Sequence, residues 1–120
     1  MASKAGAFHA WMNGFGATAY PAEAVPDDAE EPYITYSFGL AGFGEEFAAQ
    51  VDLWFPADSV AKANAMCDRI GAELGAGGTF VECDGGALWL KKGSPFWQAV
   101  ADEPGVIRRY MNIDIENLTS

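Results

Sequence analysis

The stretch Phe47-Ala-Ala-Gln-Val-Asp-Leu-Trp-Phe55 decides the fold class. Phe47, Ala49, Val51, Leu53 and Phe55 fall on one side of an extended chain, and Gln50, Asp52 and Trp54 on the other. Side chains alternate across a strand, so this period of two predicts a half-buried strand with its apolar face on a core. Upstream, Ile34, Tyr36 and Phe38 alternate with Tyr33, Thr35 and Ser37, a second strand pattern. Between them Gly39-Leu-Ala-Gly-Phe-Gly44 reads as the flexible tip of a hairpin, presenting Leu40 and Phe43.

Downstream, Pro56 ends the strand and Asp58 suits the N-cap of a helix running to about Leu74. Val60, Ala63, Cys67, Ile70 and Leu74 recur at three-and-four spacing, the stripe of an amphipathic helix. Gly75, Gly77 and Gly78 stop it. Thr79 to Cys83 and Ala87 to Lys92 read as a hairpin turning through Asp84-Gly85-Gly86. Gly93 to Val100 reads as a loop or single helical turn, and Asp102 to Gly105 as a turn. A long strand follows from about Val106 to Leu118, with Ile107, Met111, Ile113 and Ile115 opposite Tyr110, Asn112, Asp114 and Glu116.

At the other end, Ser3 to Met12 predicts a short helix with Phe8, Trp11 or Met12, and Phe15 on one side, preceded by a flexible start over residues 1–5. Ala19 to Pro32 holds three prolines and five acids and reads as an extended connection. The expectation is one α+β domain over residues 1–120: an antiparallel sheet of four to five strands, one long helix packed on one face, and a short N-terminal helix.

Composition narrows the function. Seven Lys and Arg against 17 Asp and Glu give a net charge of −10, which disfavours phosphate-driven nucleic-acid binding and anionic membranes. An acidic wall still suits a passage through which DNA slides without sticking. No apolar run is long enough to span a bilayer, and nothing after Lys4 resembles an export signal. Two cysteines and one histidine cannot form the usual Cys/His zinc cluster. Cys67 with His9 is the one conceivable thiol–imidazole pair, but Cys67 lies on the core stripe of its helix.

The acidic pairs Asp27/Asp28, Glu30/Glu31 and Glu45/Glu46 point to opposite sides of an extended chain, which suits neither a shared proton nor a cation. The glycine runs at 75–78 and 84–86 lack the Lys-Ser/Thr of a phosphate loop. No catalytic, metal-ligating or cofactor-binding residue emerges, and the expectation is a protein that is not an enzyme. Trp54 is the anomaly, a large ring on the polar side of the clearest strand; Trp89 repeats it between Leu88 and Leu90. Either the first helix lies over that side of the sheet, or another subunit does. With Arg108 and Arg109, which place one charge on each face, and with Leu40 and Phe43, these tryptophans are the candidate subunit or partner interface.

The segments Tyr20-Pro-Ala-Glu-Ala-Val-Pro-Asp-Asp28, Pro32-Tyr-Ile-Thr-Tyr36, Cys83-Asp-Gly-Gly-Ala-Leu-Trp-Leu-Lys-Lys-Gly-Ser-Pro-Phe96 and Ile107-Arg-Arg-Tyr-Met-Asn-Ile113 resemble the siphophage tail-terminator (tail-completion) proteins and minor structural proteins of the head–tail junction. The resemblance runs from Tyr20 to Leu118 and leaves out the first residues and the Gly39–Gly44 turn. It implies an α+β subunit that closes into a ring, a hexamer. Such a ring sits on the last tail-tube ring, stops its polymerisation and offers a docking face to the head connector proteins. DNA passes through the lumen without specific binding. It also implies a location in the virion after assembly in the host cytoplasm, and it carries over no catalytic residue and no cofactor. A ring requires a head-to-tail contact, for which the strand edges and the glycine-tipped hairpin are available. A head-completion or connector (neck) protein is the alternative from the same assembly; a small ligand-binding domain or enzyme, or a non-viral domain, comes behind it.

Overall fold

The computed structural model describes residues 2–101 and 104–118. Helix α1 (Lys4–Met12) leads through a single 3-10 turn (Asn13–Phe15) into strand β1 (Thr18–Pro21). After a second such turn (Ala22–Ala24) come β2 (Tyr33–Tyr36), β3 (Glu46–Pro56), helix α2 (Val60–Leu74), β4 (Thr79–Cys83), β5 (Gly86–Val100) and β6 (Val106–Asn117). The strands form one six-stranded sheet in the order β1-β2-β3-β6-β5-β4, curled as a half-barrel. Strand β1 runs parallel to β2, and the remaining neighbours are antiparallel.

This corrects the expected antiparallel sheet of four to five strands with one long helix and a short N-terminal helix: among the described residues the sheet is mixed and has six strands, the long helix has only 15 residues, and the structure is mostly sheet. The extra strand, β1, lies inside the stretch read as a connection. It escapes a pattern search because it has four residues and ends in Pro21; as an edge strand it has one side free of ladder bonds, where a missing N–H is tolerated. The segment Gly93 to Val100, read as a loop or single helical turn, is the second half of β5. Its register on β6 shifts between Lys92 and Trp97, and this irregularity breaks the alternation that would have marked a strand. Of the turn expected over Asp102 to Gly105, Asp102 and Glu103 lie outside the described residues, as does Met1 of the start read as flexible. The rest of that start is tied down: Ser3 Oγ accepts from the Gly6 N–H as N-cap of α1, and the Ala2 carbonyl accepts from Asp84 N at 2.8 Å.

Asp58 does not cap α2. Ser59 holds the N-cap position and turns its hydroxyl to Asp58 Oδ1 instead of to the helix, and Val60, assigned to the apolar stripe, is 49% exposed. The buried side of α2 is Ala63, Met66, Cys67, Ile70 and Leu74. It packs with Phe8, Met12 and Phe15 of the N-terminal segment against Val51 and Leu53 of β3, Leu88 and Leu90 of β5, and Met111, Ile113 and Ile115 of β6. Both helices therefore share one face of the sheet, and burying that shared apolar surface is the main stabilising term. No described helix is long and apolar enough to cross a membrane.

Candidate functional site

With both helices on one side, no described helix covers the other face of the sheet, and that face holds Trp54. The even-numbered residues of β3 and β6 point there, opposite Val51, Leu53, Met111 and Ile113. Strand register sets Tyr33, Trp54 and Arg108 side by side across β2, β3 and β6, with Thr35, Asp52 and Tyr110 as the next row. Trp54 stacks on Tyr33 with ring centroids 6.1 Å apart and 19° between planes, and Tyr20 meets Tyr33 edge-on at 6.2 Å. The Trp54 indole Nε1 donates to Thr35 Oγ1 at 3.0 Å. Arg108 Nε donates to Asp52 Oδ1 at 2.9 Å while its guanidinium lies 5.1 Å from the Trp54 ring centroid. The Trp54 indole N–H and the Arg108 guanidinium are thus held, and the Trp54 ring is presented with little rotamer freedom left to lose on binding.

A second cluster occupies the far end of the same face. Phe80 of β4 and Trp89 of β5 are paired in register and stacked at 5.3 Å, and Phe80 is 62% exposed. Lys91 sits 3.9 Å over the Trp89 ring and bridges Glu116 at 2.7 Å and Glu46 at 2.5 Å. The hydrogen bonds that Lys91 donates to Glu116 and then to Glu46 raise its pKa. Nearby Asp114 is held above the usual carboxylate range, first by burial and then by the charge of Glu46, against the opposing pull of Lys91. The open face as a whole carries Glu46, Asp52, Glu82, Asp114 and Glu116 against Lys91 and Arg108, so it is acidic.

The six candidate interface residues separate. Trp54, Trp89 and Arg108 share the open face. Leu40 and Phe43 lie apart on the β2–β3 turn, 44% and 65% exposed. Arg109 leaves the set. It points to the helix side, is 8% exposed, donates Nε to Asn64 Oδ1 of α2 at 2.8 Å and lies over Trp97. Neighbouring strand residues do face opposite sides, but only the helix positions decide which side is covered. The explanation of Trp54 by the first helix lying over it is likewise corrected, because α1 packs Phe8 against Tyr36 and Phe38 on the other face. Tyr20, Tyr33, Thr35, Asp52 and Phe80 complete the two clusters without a signal of their own beyond sharing Trp54's or Trp89's alternation.

The groups considered for chemistry do not converge. His9 Nδ1 is 2.6 Å from the Tyr36 hydroxyl and its Nε2 lies 3.3 Å from Asn13 Nδ2, so both ring nitrogens are engaged. Cys67 is fully buried, and burial pushes its thiol up to about 12 despite the opposing charge of Arg109, which leaves it protonated and unreactive near neutrality. Among the described residues no three His, Cys, Asp or Glu side chains cluster as metal ligands. Hollows among the described residues include two of note. A small one of about 140 Å³ lies by Thr35, Ser37, Gln50 and Asp52 at the rim of the open face. A larger, open groove of about 480 Å³ lies between α2 and the second half of β5. No protein-family model, curated protein or solved structure matches this chain.

Proposed function

We propose that the chain is a structural assembly subunit of a tailed bacteriophage, a tail terminator whose copies form a ring that caps the tail tube, stops its growth and offers the docking face for the head. The observation that carries an assembly role is the uncovered sheet face with its pre-set Tyr33–Trp54–Arg108 row. Trp, Tyr and Arg are the residues enriched at the energetic centres of interfaces. Here they are held by neighbours on a rigid sheet. The phage setting is supported by the resemblance over Tyr20 to Leu118, and the net charge of −10 suits a lumen through which DNA must slide. On this reading the protein has no catalytic step, resides in the virion and needs no cofactor.

The test is to mix purified protein with isolated tail tubes and, separately, with tail-less heads, and to weigh the assemblies by native mass spectrometry. Six-fold rings bound to tube ends, and blocked addition of tube protein, are the expected result. Binding to heads alone transfers the role to a neck connector. A monomer that binds neither ends the proposal.

A further inference from the structure

Accepting the ring reading above, we infer that the ring closes by a head-to-tail contact in which Phe43 of one copy enters the groove between α2 and β5 of the next. The knob is an unusual object. Phe43 is 65% exposed at the tip of the glycine-rich β2–β3 turn, yet the turn itself is tied down. Gly44 N donates to the Asn117 carbonyl at 2.9 Å, Glu45 N to the Gly42 carbonyl at 2.9 Å, and Asn117 Nδ2 to the Ala41 carbonyl at 3.4 Å. A phenyl ring is therefore held largely in water by a braced loop anchored on the end of β6. Seating it on a partner removes that remaining apolar surface from water.

The groove has the size for a ring and a mixed lining of apolar and charged groups. Gly71 of α2 and Gly75 just past its C-terminus leave a strip without side chains, and Phe96 and Trp97 form the opposite wall. A Cβ on Gly71 would lie 3.0 Å from the Phe96 ring, so the wall stands against the bare strip and the hollow of about 480 Å³ opens beside it. Its floor is the buried Cys67, and its rim carries Lys92 and Asp68. Charge favours a second copy as the occupant. Lys92 lies 5.4 Å from the Phe96 ring centroid and forms no ion pair among the described residues, although Asp68 lines the same groove. Glu45, exposed and without an ion pair among the described residues, stands two positions from Phe43. Seating the ring in the groove brings Glu45 toward the rim where Lys92 lies.

Knob and groove are different surfaces of the same subunit, so the one-way contact inferred here is heterologous: it propagates and closes into a ring or extends into a filament, whereas reciprocal insertion would stop at a two-fold dimer and overturn it. It also leaves the Trp54 face free for a different protein.

Native mass spectrometry with two complementary variants tests this. Phe43→Ser removes the knob and keeps the groove; Ala72→Trp, at an exposed position on the groove wall, plugs the groove and keeps the knob. Each alone is expected to lose ring formation at least tenfold with an unchanged melting temperature, while their mixture forms a one-to-one heterodimer that stops there. Glu45→Lys and Lys92→Glu should each weaken the ring, and the double reversal should restore it. Rings that form undiminished in Phe43→Ser, or a mixture that yields no heterodimer, overturn this contact and leave the assembly role standing. A wild-type protein that stays monomeric both alone and on tubes removes both.

Discussion

Arg108 on β6 and Asp52 on β3 form an ion pair beneath an aromatic lid: Nε and Oδ1 are 2.9 Å apart, the Asp52 side chain is nearly buried, and Trp54 lies over the guanidinium. A carboxylate so placed depends on its partner, because an unpaired buried charge is far more costly than a missing pair. Arg108→Ala is expected to destabilise the fold by about 3 kcal/mol, and Asp52→Ala by about 2 kcal/mol. The double variant should lose less than the two combined, giving a coupling of roughly 1 kcal/mol or more in urea denaturation. Additive losses would show that the two side chains are independent.

Trp54 separates folding from binding. Trp54→Phe keeps a ring on Tyr33 and Arg108 but deletes the Nε1 donor to Thr35, and should cost about 1 kcal/mol of stability. Trp54→Ala should leave a folded monomer, with unchanged far-ultraviolet circular dichroism, whose binding to tail tubes falls at least tenfold. A Trp54→Ala protein that unfolds would place this side chain in the core and not at an interface.

Gly78 is irreplaceable for two separate reasons. Its φ is +84°, and a Cβ there would sit 2.6 Å from both the Leu90 carbonyl oxygen and Trp89 Nε1. Gly78→Ala should therefore cost roughly 2 kcal/mol or more, measured as a lowered denaturation midpoint. Because Trp89 must move, its fluorescence should shift as well. Gly85→Ala, where φ is +79° but the space is open, provides the control and should cost less.

Cys67 predicts an alkaline weakness. Its thiol is pushed up from 9.0 to about 12 in the folded protein, so the unfolded chain releases this proton first. Stability from this group is fully present below pH 9, and it declines as pH rises from 9 through about 12. The slope contributed is at most about 1.4 kcal/mol per pH unit. Cys67→Ala should flatten the alkaline limb of the stability profile relative to wild type, and native Cys67 should resist thiol reagents at neutral pH. An identical limb in both proteins would refute the assignment.

The parts of the fold legible in the sequence are those where burial is one-sided. β3 and β6 keep a clean alternation because one face meets the helices and the other meets water. β1 left no such trace: four residues with one fully buried alanine carry too little contrast. The second half of β5 was hidden by consecutive Phe96 and Trp97 at a register shift, which reads as no period at all. The side on which α1 settles was equally unreadable. Phe8 and Met12 mark an apolar stripe, but a stripe does not say which face of a curled sheet it meets. For the same reason Trp54 could be singled out as anomalous, while its stacking on Tyr33 depends on a hairpin register that the six-residue glycine-rich tip does not dictate. Arg109 was misplaced because adjacency in a strand separates two charges without saying which one is covered.

The strand order has a kinetic implication. β6 lies between β3 and β5, yet it is the last of the six to be synthesised. A nascent chain ending before Val106 holds two separate half-sheets, β1-β2-β3 and β4-β5, each with an unpaired inner edge beside apolar side chains. The polypeptide is most exposed to misassembly and to chaperone capture while it waits for that strand. Joining the halves creates most of the sheet's strand pairing in one late, cooperative event, so this domain should complete its folding only after the ribosome has released the segment up to Asn117.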